Sequence, residues 1–258
     1  MNNCKYSFHQ LDVVASTNNY AMAKVHAALA SHGNAYFTTH QTNGKGQRGK
    51  QWLSNSAENI AISITVQPKQ LQLGQQFYLS ATVAMAVHQF FTKYAIDKTF
   101  IKWPNDIYWC DRKAAGILIE NVIANNTTVI QNSNSLTAFW KYAVIGIGIN
   151  INQTQFDKAL KHPVSLKQIT GKHYDVTMLA KELHVYVMDA VDNMKQQNMQ
   201  QLMDAYNTNL YKKGQQVKMK TVGIFFETII QGVNNNGQLL TTDIIDNTFD
   251  FGSVEWVL

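Results

Sequence analysis

Residues 102–120 read KWPNDIYWCDRKAAGILIE, and this stretch decides how the rest of the chain is interpreted. It sets two lysines, Lys102 and Lys113, and one carboxylate, Asp106, around a Pro-Asn-Asp turn between apolar runs. Pro104 fixes the turn that presents the two following side chains. Lysines aimed at a common point suit phosphate chemistry, because a nucleotide offers several negative oxygens. The alternative is a surface cluster of ion pairs, and the fixed turn argues against it.

Residues 41–50 contain three glycines, three cationic side chains and no apolar residue, so they predict a loop. Its backbone amides can approach an anion, while Lys45 and Arg48 supply charge. The spacing of the glycines matches neither a Walker A motif nor a dinucleotide-binding fingerprint. A solvated turn without a ligand is the alternative, and this motif alone does not decide between them.

A short polar run, Ser16-Thr17-Asn18, stands at the start of a predicted helix. These side chains can cap the helix. They can also hydrogen-bond a neutral polar ring such as a cyclic urea, which needs donors and acceptors rather than charge.

A glycine pair, Gly146 and Gly148, precedes Asn150 at the end of an apolar run. The glycines clear one face of a strand, so that a flat ligand can approach and the Asn150 amide can read an adenine edge. A buried sheet crossing explains the glycines equally well.

The apolar pattern predicts alternating helices and strands up to residue 211. Helices are predicted from residue 16 or 17 to about 31, over 75–94, and over 177–211 with room for one break. Strands are predicted at 35–39, 59–66, 99–103, 107–109, 115–123, 127–131 and 138–149. The Asn-, Ser- and Thr-rich residues 125–137 predict an exposed hairpin tip.

A domain boundary is predicted near residues 212–214, where the helical period stops. Short strands follow at 216–221, 225–233, 239–245 and 254–258, with a hairpin turn at 234–237. We therefore predict a large domain over residues 1–211 and a small barrel-like β domain over 212–258. The small domain is expected to dock on the large one, because so few residues bury little surface alone.

Composition excludes several classes of protein. The net charge of +5 is spread over a chain with only 15% charged residues, which argues against nucleic-acid binding. No apolar run is long enough to span a bilayer, and the first ten residues do not read as a secretory signal. The two cysteines, Cys4 and Cys110, lack a partner motif and predict free thiols in the cytoplasm. No histidine spacing suits a metal site, and no nucleophile elbow is present.

Together and in this order, the motifs resemble the catalytic core of biotin–protein ligases. The resemblance spans nearly the whole chain, and the Lys-Trp-Pro-Asn-Asp block followed by Lys-x-x-Gly-Ile-Leu is its most specific part. It implies an α+β fold: a class II aminoacyl-tRNA synthetase-like catalytic domain, with a mixed sheet and flanking helices, plus an SH3-like C-terminal domain. It also implies that biotin and MgATP form biotinyl-5′-AMP, and that a lysine of a biotin carboxyl carrier domain then receives the biotin.

The resemblance implies a role for individual residues. The residues implied to bind biotin are Ser16, Thr17, Asn18, Gln41, Gly44, Gly46, Lys113 and Gly116. Those implied to bind ATP or the adenylate are Lys45, Gln47, Arg48, Gly49, Trp52, Asn105 and Asn150. The implied catalytic residues are Lys113, Lys102, Asp106 and Arg48, and Asp106 is also a candidate ligand for Mg²⁺ or a group that steers the incoming amine.

Two departures from the family pattern lead to further expectations. Many relatives carry arginine at the second and fourth loop positions, where this chain has Lys45 and Gln47. Because glutamine cannot pair with a phosphate by charge, Arg48 is expected to take over part of the anion clamp. The chain also enters the catalytic motifs by about Leu11, so we expect ligase activity without operator DNA binding.

Other interpretations stay open at this point. A lipoate–protein ligase would share the fold and the two-step reaction, but its ligand ring needs no urea contacts, so residues 16–18 favour biotin. A non-enzymatic nucleic-acid-binding protein would use the basic loop. A homodimer paired through an exposed sheet edge is also compatible with the sequence.

Overall fold

The computed structural model describes residues 5–95, 97–130, 133–195 and 198–257, with the backbone alone between 126 and 136. Seven strands form a large sheet: β1 (Phe8–Val14), β2 (Ala35–Gln41), β5 (Asn59–Val66), β6 (Thr99–Lys102), β7 (Asp106–Trp109), β8 (Arg112–Ile130) and β9 (Ser133–Asn150). Their spatial order is β1-β2-β5-β9-β8-β7-β6. Strands β1 and β2 are parallel and the other neighbours are antiparallel, which confirms the predicted mixed sheet.

Helices cover both faces of this sheet. They are α1 (Thr17–His26), α2 (Gln76–Ala95), α3 (Leu166–Thr170), α4 (Val176–Asp192) and α5 (Met199–Thr208). The isoleucines of β5 all lie on one face of the sheet, in the main core with α2 and α4. Helix α1 packs on the other face through Ala21 and Val25. The burial pattern follows from the strand period of two, which sends alternate side chains to opposite faces.

One predicted helix needs correction. Ser16 caps α1 by accepting from the Asn19 backbone N–H, as expected, but the helix ends at His26 rather than near residue 31. The single break allowed for in the predicted helix over 177–211 is present, because this segment forms α4 and α5, with the break after Asp192. Amphipathic spacing continues across the break, so periodicity alone does not reveal where a chain changes direction.

The predicted hairpin tip over residues 125–137 is wrong in extent. Strand β8 runs to Ile130 and β9 begins at Ser133, so the two strands pair through almost the whole polar stretch. Backbone hydrogen bonds between long antiparallel strands do not depend on the side chains. Residues 131–132, which connect the two strands, lie outside the described residues.

A second sheet follows α5 and is antiparallel throughout. Its strands are β10 (Gln216–Thr221), β11 (Ile224–Val233), β12 (Leu239–Thr242), β13 (Asp246–Phe249) and β14 (Glu255–Trp256), in the order β13-β12-β11-β10-β14. The predicted strand over 239–245 is interrupted, because Asp243 accepts from the Ile245 N–H and turns the chain. The predicted hairpin turn at 234–237 is confirmed, with Gly237 at φ 81°.

Two side chains fasten the second sheet to the rest. Asn207 of α5 exchanges hydrogen bonds with the Val233 backbone, at 2.9 and 2.7 Å. Trp103 donates its indole N–H to the Gly237 carbonyl over 2.8 Å. The small sheet therefore lies against the segment that carries residues 102–106. Within the described part of the chain, the helices are too short or too polar to cross a bilayer.

Two short strands lie outside the two larger sheets. Strands β3 (Gly44–Lys45) and β4 (Gln51–Trp52) pair as a small separate hairpin. The segment predicted as a plain loop over residues 41–50 therefore contains short strands and, between them, a single helical turn over Gln47–Gly49. Arg48 within this turn has a φ of 55°.

Candidate active site

A pocket lies on the α1 face of the large sheet, below the β3–β4 hairpin. Its lining joins segments that are far apart in sequence: Ser16, Thr17, Asn18, Gln41, Lys45, Gly46, Gln47, Trp52, Ala61, Asn105, Lys113, Gly116, Ile117, Leu118, Gly146, Ile147 and Gly148. Eleven of the residues predicted for the site are in this lining. The sheet brings them together, because β8 and β9 pair Gly116 with Gly148.

Three glycines form the floor of the pocket, as the sequence indicated for two of them. A methyl group on Gly146 would come within 2.1 Å of the Asn18 side-chain oxygen, and one on Gly148 within 2.3 Å of the Trp52 ring. A methyl group on Gly116 would lie 3.2 Å from Trp52 and 3.4 Å from Lys113 Nζ. The floor therefore has to stay free of side chains for these three groups to lie where they do.

One end of the pocket is a network of neutral hydrogen-bonding groups. Gln41 Oε1 accepts from the Thr17 backbone N–H at 2.8 Å and from its hydroxyl at 3.2 Å. Ser63 donates to Thr17 Oγ1 or to Asn18 Oδ1, the first at 2.8 Å. All of Ser16, Thr17, Asn18 and Ser63 are buried. Buried polar groups of this kind need partners, and the network holds them facing the pocket.

Ser63 was missed in the sequence analysis, although a signal was present. It lies between Ile62 and Ile64 of β5, on the opposite face of the strand, which carries the small residues Ala61 and Thr65. A small hydroxyl on that face reaches the α1 N-terminus.

Glu120 is a second residue whose role the sequence did not predict. Its Oε2 accepts from Asn18 Nδ2 at 3.0 Å, and its Oε1 forms an ion pair with Lys45 Nζ at 3.0 Å. One carboxylate thus connects the neutral end of the pocket to the glycine-rich hairpin.

Lys113 and Asp106 form an ion pair at the other end, with 2.7 Å between Nζ and Oδ1. The oxygen lacks a well-aligned hydrogen bond, so the contact is primarily one of charge. The backbone of Lys113 is held by its N–H to the His162 carbonyl and by its own carbonyl, which accepts from Val164 N–H. Residues 162–164 therefore support the lysine from outside the sheet.

Lys102 does not line the pocket, although its backbone pairs with that of Asp106. Its ammonium lies 5.1 Å from the Tyr108 ring centre and 5.2 Å from that of Trp256. Burial lowers the pKa of Lys102 to about 8, with Asp106 acting in the opposite direction. Lys113, Lys50 and Lys161 lower this pKa further, so four cations share the neighbourhood of one carboxylate.

Five other predicted site residues lie outside the lining: Gly44, Arg48, Gly49, Asp106 and Asn150. Gly44 is buried in the β3–β4 hairpin, where a methyl group would meet the Gln41 side chain and the Trp52 carbonyl. Arg48 is exposed and its guanidinium lies under Gly252 of the second sheet, where a methyl group would approach Cζ to 3.1 Å. Gly49 is open to solvent. Asn150 is buried and donates to the carbonyls of Lys113 and Val164, at 3.4 and 3.2 Å, so its amide supports the backbone of the site. Turn geometry and sheet register, which the sequence does not show, decide these positions.

The pocket is small in this structure because Trp52 covers it. Its ring lies over Gly116 and Gly148, and Lys113 Nζ is 5.9 Å from the ring centre. The remaining cavity is about 50 Å³. Small-molecule sites usually measure roughly 300–1,000 Å³. The cavity as it stands is smaller than a small-molecule ligand requires.

Asp106 is the candidate metal ligand in the sequence. The described residues contain no group of three His, Cys, Asp or Glu side chains that could hold an ion. Because Mg²⁺ commonly takes most of its ligands from substrate phosphates and water, one carboxylate is compatible with an ion that arrives with a nucleotide.

A mixed sheet with a glycine floor, a neutral polar end and a lysine end defines an α/β ligand-binding protein of a recognisable kind. The model of the biotin/lipoate A/B protein ligase family matches residues 11–150, more than half of the chain. The chain belongs to this family.

Individual curated relatives agree with this assignment. The bifunctional ligase/repressor BirA of Escherichia coli is 31% identical over 150 residues, which are 58% of this chain and 42% of the relative. The biotin–[acetyl-CoA-carboxylase] ligase of Mycobacterium tuberculosis is 29% identical over 152 residues, which are 57% of this chain and 51% of the relative. The chain spans about half the length of these relatives.

Solved structures extend the likeness of the fold to the second sheet. A biotin protein ligase from Aquifex aeolicus, in complex with biotin and ATP, superposes with a TM-score of 0.77 at 21% identity. The match covers 97% of this chain and 99% of that one. A biotin protein ligase from Leishmania major, in complex with biotinyl-5-AMP, gives a TM-score of 0.64 at 18% identity, over 95% and 98% of the two chains. The predicted mixed α/β architecture with a C-terminal antiparallel sheet is confirmed.

Proposed function

We propose that the chain is an ATP-dependent ligase that joins biotin to one lysine of a biotin carboxyl carrier domain. In the first step, the biotin carboxylate attacks the α-phosphorus of ATP, which forms biotinyl-5′-AMP and releases pyrophosphate. In the second, the ε-amine of the carrier lysine attacks the acyl carbon, an amide forms, AMP leaves and the amine gives up a proton. Family membership supports this proposal.

One observation carries the proposal: the pocket has two chemically different ends on a shared glycine floor. Asn18 lies over Gly146 at the neutral end, and Lys113 lies near Gly116, which pairs with Gly148. Two residues along a strand separate the ends by roughly 7 Å. A ligand with a neutral polar ring at one end and a carboxylate at the other fits this spacing. The buried amide and hydroxyl groups also favour a urea ring over the dithiolane of lipoate.

The proposed residue roles follow from these positions. Ser16, Thr17, Asn18 and Gln41 bind the ring, Gly44, Gly46 and Gly116 leave room for it and its chain, and Lys113 neutralises the carboxylate and α-phosphate. Lys45, Gln47, Arg48, Gly49, Trp52, Asn105 and Asn150 are proposed to surround the adenylate once the hairpin has moved. Closing the hairpin over a reactive anhydride would exclude water and slow its hydrolysis.

Asp106 has three proposed duties, to hold Lys113, to hold magnesium and to orient the amine of the second step. It holds Lys113 in place at 2.7 Å before the nucleotide binds. In the second step its carboxylate can orient the incoming amine. Magnesium, when bound with ATP, supplies positive charge at the phosphates, and Asp106 is the side chain proposed to hold it.

The fold supports two finer assignments. We infer that residues 1–211 form a domain like that of class II aminoacyl-tRNA synthetases, and that residues 212–258 form an SH3-like domain. The order of the five antiparallel strands and the position of the boundary after α5 support the division.

Mass spectrometry of a carrier domain tests the reaction. We expect a purified biotin carboxyl carrier domain to gain the mass of one biotin with this protein, MgATP and biotin, and no mass with lipoate. Lys113→Ala should abolish the gain, while Lys93→Ala, at a remote ion pair with Glu182, should not. A gain with lipoate alone would transfer the assignment to lipoate ligation. No gain with either acid, for several carriers, would contradict the proposal.

Three further expectations remain predictions. They are a cytoplasmic location, the absence of operator binding and a homodimer formed through a sheet edge. A nucleic-acid-binding role in place of catalysis is not favoured, since the chain belongs to a ligase family.

A further inference from the structure

Lys102 is held between aromatic rings that come from the two different sheets. Tyr108, in β7 of the large sheet, and Trp256, in β14 of the small sheet, place their ring centres 5.1 and 5.2 Å from its ammonium. These distances lie within the range of cation–π attraction. The last strand of the small sheet, β14, thus reaches the side chain of the first residue in the Lys-Trp-Pro-Asn-Asp segment.

Trp256 is itself fixed by its neighbours. Its backbone pairs with the fully buried Met219, and the Val257 N–H donates to the Lys218 carbonyl at 3.0 Å. The Tyr211 ring centre lies 5.7 Å from that of Trp256. The Trp256 indole N–H is buried without an acceptor among the described residues. A buried indole N–H usually has an acceptor, so we take the contact of the Trp256 ring face with Lys102 as the functional one.

The backbone of the same segment is fixed separately. Trp103 donates to the Gly237 carbonyl, and its ring lies edge-on to Phe251 with 6.2 Å between centres. These contacts position the chain at residue 103 but leave the flexible four-carbon stem of Lys102 free to rotate. Among the described residues, the Tyr108 and Trp256 rings are the aromatic groups that contact the ammonium. Without Trp256, the stem would sample several rotamers beside the Asp106–Lys113 pair.

We infer that Trp256 is a positioning residue for ATP, which holds the Lys102 ammonium beside the Asp106–Lys113 pair where the phosphates are proposed to bind. The inference rests on the proposed function. It gives the small sheet a defined duty: ordering one cation of the nucleotide site before ATP arrives. The residue acts through Lys102 and touches no substrate itself. Its loss should therefore change the response to ATP and not the binding of biotin.

Steady-state kinetics with three variants tests this duty. Trp256→Leu keeps apolar volume without an aromatic face, and we expect it to raise the KM for ATP roughly 5- to 20-fold, from the usual strength of cation–π contacts. Trp256→Phe should restore the KM to within about twofold, since it returns an aromatic face. Phe225→Ala is the matched control, because Lys218 and Lys220 lie over that ring, at 5.3 and 5.4 Å, in the same sheet but at its exposed end. The control variant should leave the KM for ATP unchanged.

A double-mutant cycle separates positioning from general support of the fold. In a Lys102→Met background, Trp256→Leu should add less than about a twofold change in the KM for ATP, because the two residues then act as one unit. A full additive effect in that background would overturn the inference. So would an equal loss of biotin affinity in Trp256→Leu.

Nuclear magnetic resonance tests the contact without any need for ligase activity. The ε-methylene protons of Lys102 should be shifted upfield by the two rings, less so in Trp256→Leu and again fully in Trp256→Phe. An unshifted wild-type signal, or one that Trp256→Leu leaves unchanged, overturns the inference whatever the activity. If the wild type fails to biotinylate a carrier, the proposed function fails, and calorimetric ATP titration of the same variants then decides. Weaker ATP binding in Trp256→Leu supports the inference, and unchanged or absent ATP binding overturns it.

Discussion

Asn18 donates its side-chain amide to Glu120 over 3.0 Å, while the other Glu120 oxygen holds Lys45 at the same distance. The first contact belongs to the neutral end of the pocket and the second to the β3–β4 hairpin. A ligand bound at the neutral end can therefore affect the position of the hairpin through the Glu120 side chain.

Removal of Glu120 is expected to weaken biotin binding. Glu120→Ala frees Asn18 to rotate, and we expect a loss of roughly 5- to 30-fold in biotin affinity, equivalent to about 1–2 kcal/mol for a partly buried hydrogen bond. Glu120→Gln can still accept from Asn18 but cannot pair with Lys45 by charge, so it should lose less. Isothermal titration calorimetry measures both. Glu182→Ala, which removes a carboxylate bonded to Lys93 and Tyr94 far from the site, is the matched control. Equal affinity in Glu120→Ala and wild type would contradict the prediction.

Adding one methyl group to the pocket floor should displace specific side chains. In Gly146→Ala the new carbon would meet Asn18 at 2.1 Å, so Asn18 must leave its hydrogen bonds. We expect a destabilisation of about 1–3 kcal/mol, typical of overpacking, together with a loss of biotin binding. Thermal unfolding and biotin titration read out the two effects. Gly74→Ala, at a position with open space around it, should leave biotin binding unaltered. Normal biotin affinity in Gly146→Ala would show that Asn18 does not contact the ligand.

Trp52 is expected to limit the rate at which the pocket fills. Because its ring covers Gly116 and Gly148, Trp52→Ala should open the cavity and speed biotin association several-fold in stopped-flow measurements. The same variant should bind ATP more weakly if the indole later packs on the nucleotide. Trp140→Phe, a change at a buried ring of the core, serves as the control for tryptophan loss. Association in Trp52→Ala no faster than in wild type would mean that the hairpin already moves freely.

Two buried histidines predict how stability depends on pH. His88 contacts the Thr99 carbonyl and His184 the Gly33 carbonyl, and burial lowers the pKa of both below the ordinary value of 6.5. The folded state therefore binds fewer protons than the unfolded state once the pH falls to 6.5 and below. Stability is fully present above that pH and declines as the pH drops, by at most about 1.4 kcal/mol per pH unit for each histidine.

Urea unfolding between pH 7 and pH 5 tests this sign. The double variant His88→Gln/His184→Gln keeps a hydrogen-bond donor at each position but removes the titration, so its stability should vary less over this range than that of wild type. His9→Gln, at an exposed surface position, should retain the wild-type slope. A wild-type stability that rises on acidification would contradict the assignment of both histidines as neutral in the folded state.

The relation between sequence and structure differs from element to element. The isoleucine alternation of β5 and the helical spacing of α2 predicted those elements correctly, since a buried face imposes its period on the chain. The position of the break between α4 and α5 and the long pairing of β8 with β9 were not predictable in that way. Both depend on backbone and packing partners far along the chain.

The sequence by itself determined which residue types meet in the pocket, because polar residues 16–18, Gln41, the glycines and Lys113 each stand at the end of a recognisable element. Only the tertiary structure decided where the long cationic side chains lie. Lys102 and Lys113 lie on neighbouring parts of one sheet, yet Lys113 pairs with Asp106 and Lys102 lies between rings of two sheets. Arg48 likewise faces the second sheet. A flexible charged side chain takes its direction from the charges and rings around it, and two of these, Trp256 beside Lys102 and the chain at Gly252 beside Arg48, come from segments more than a hundred residues away.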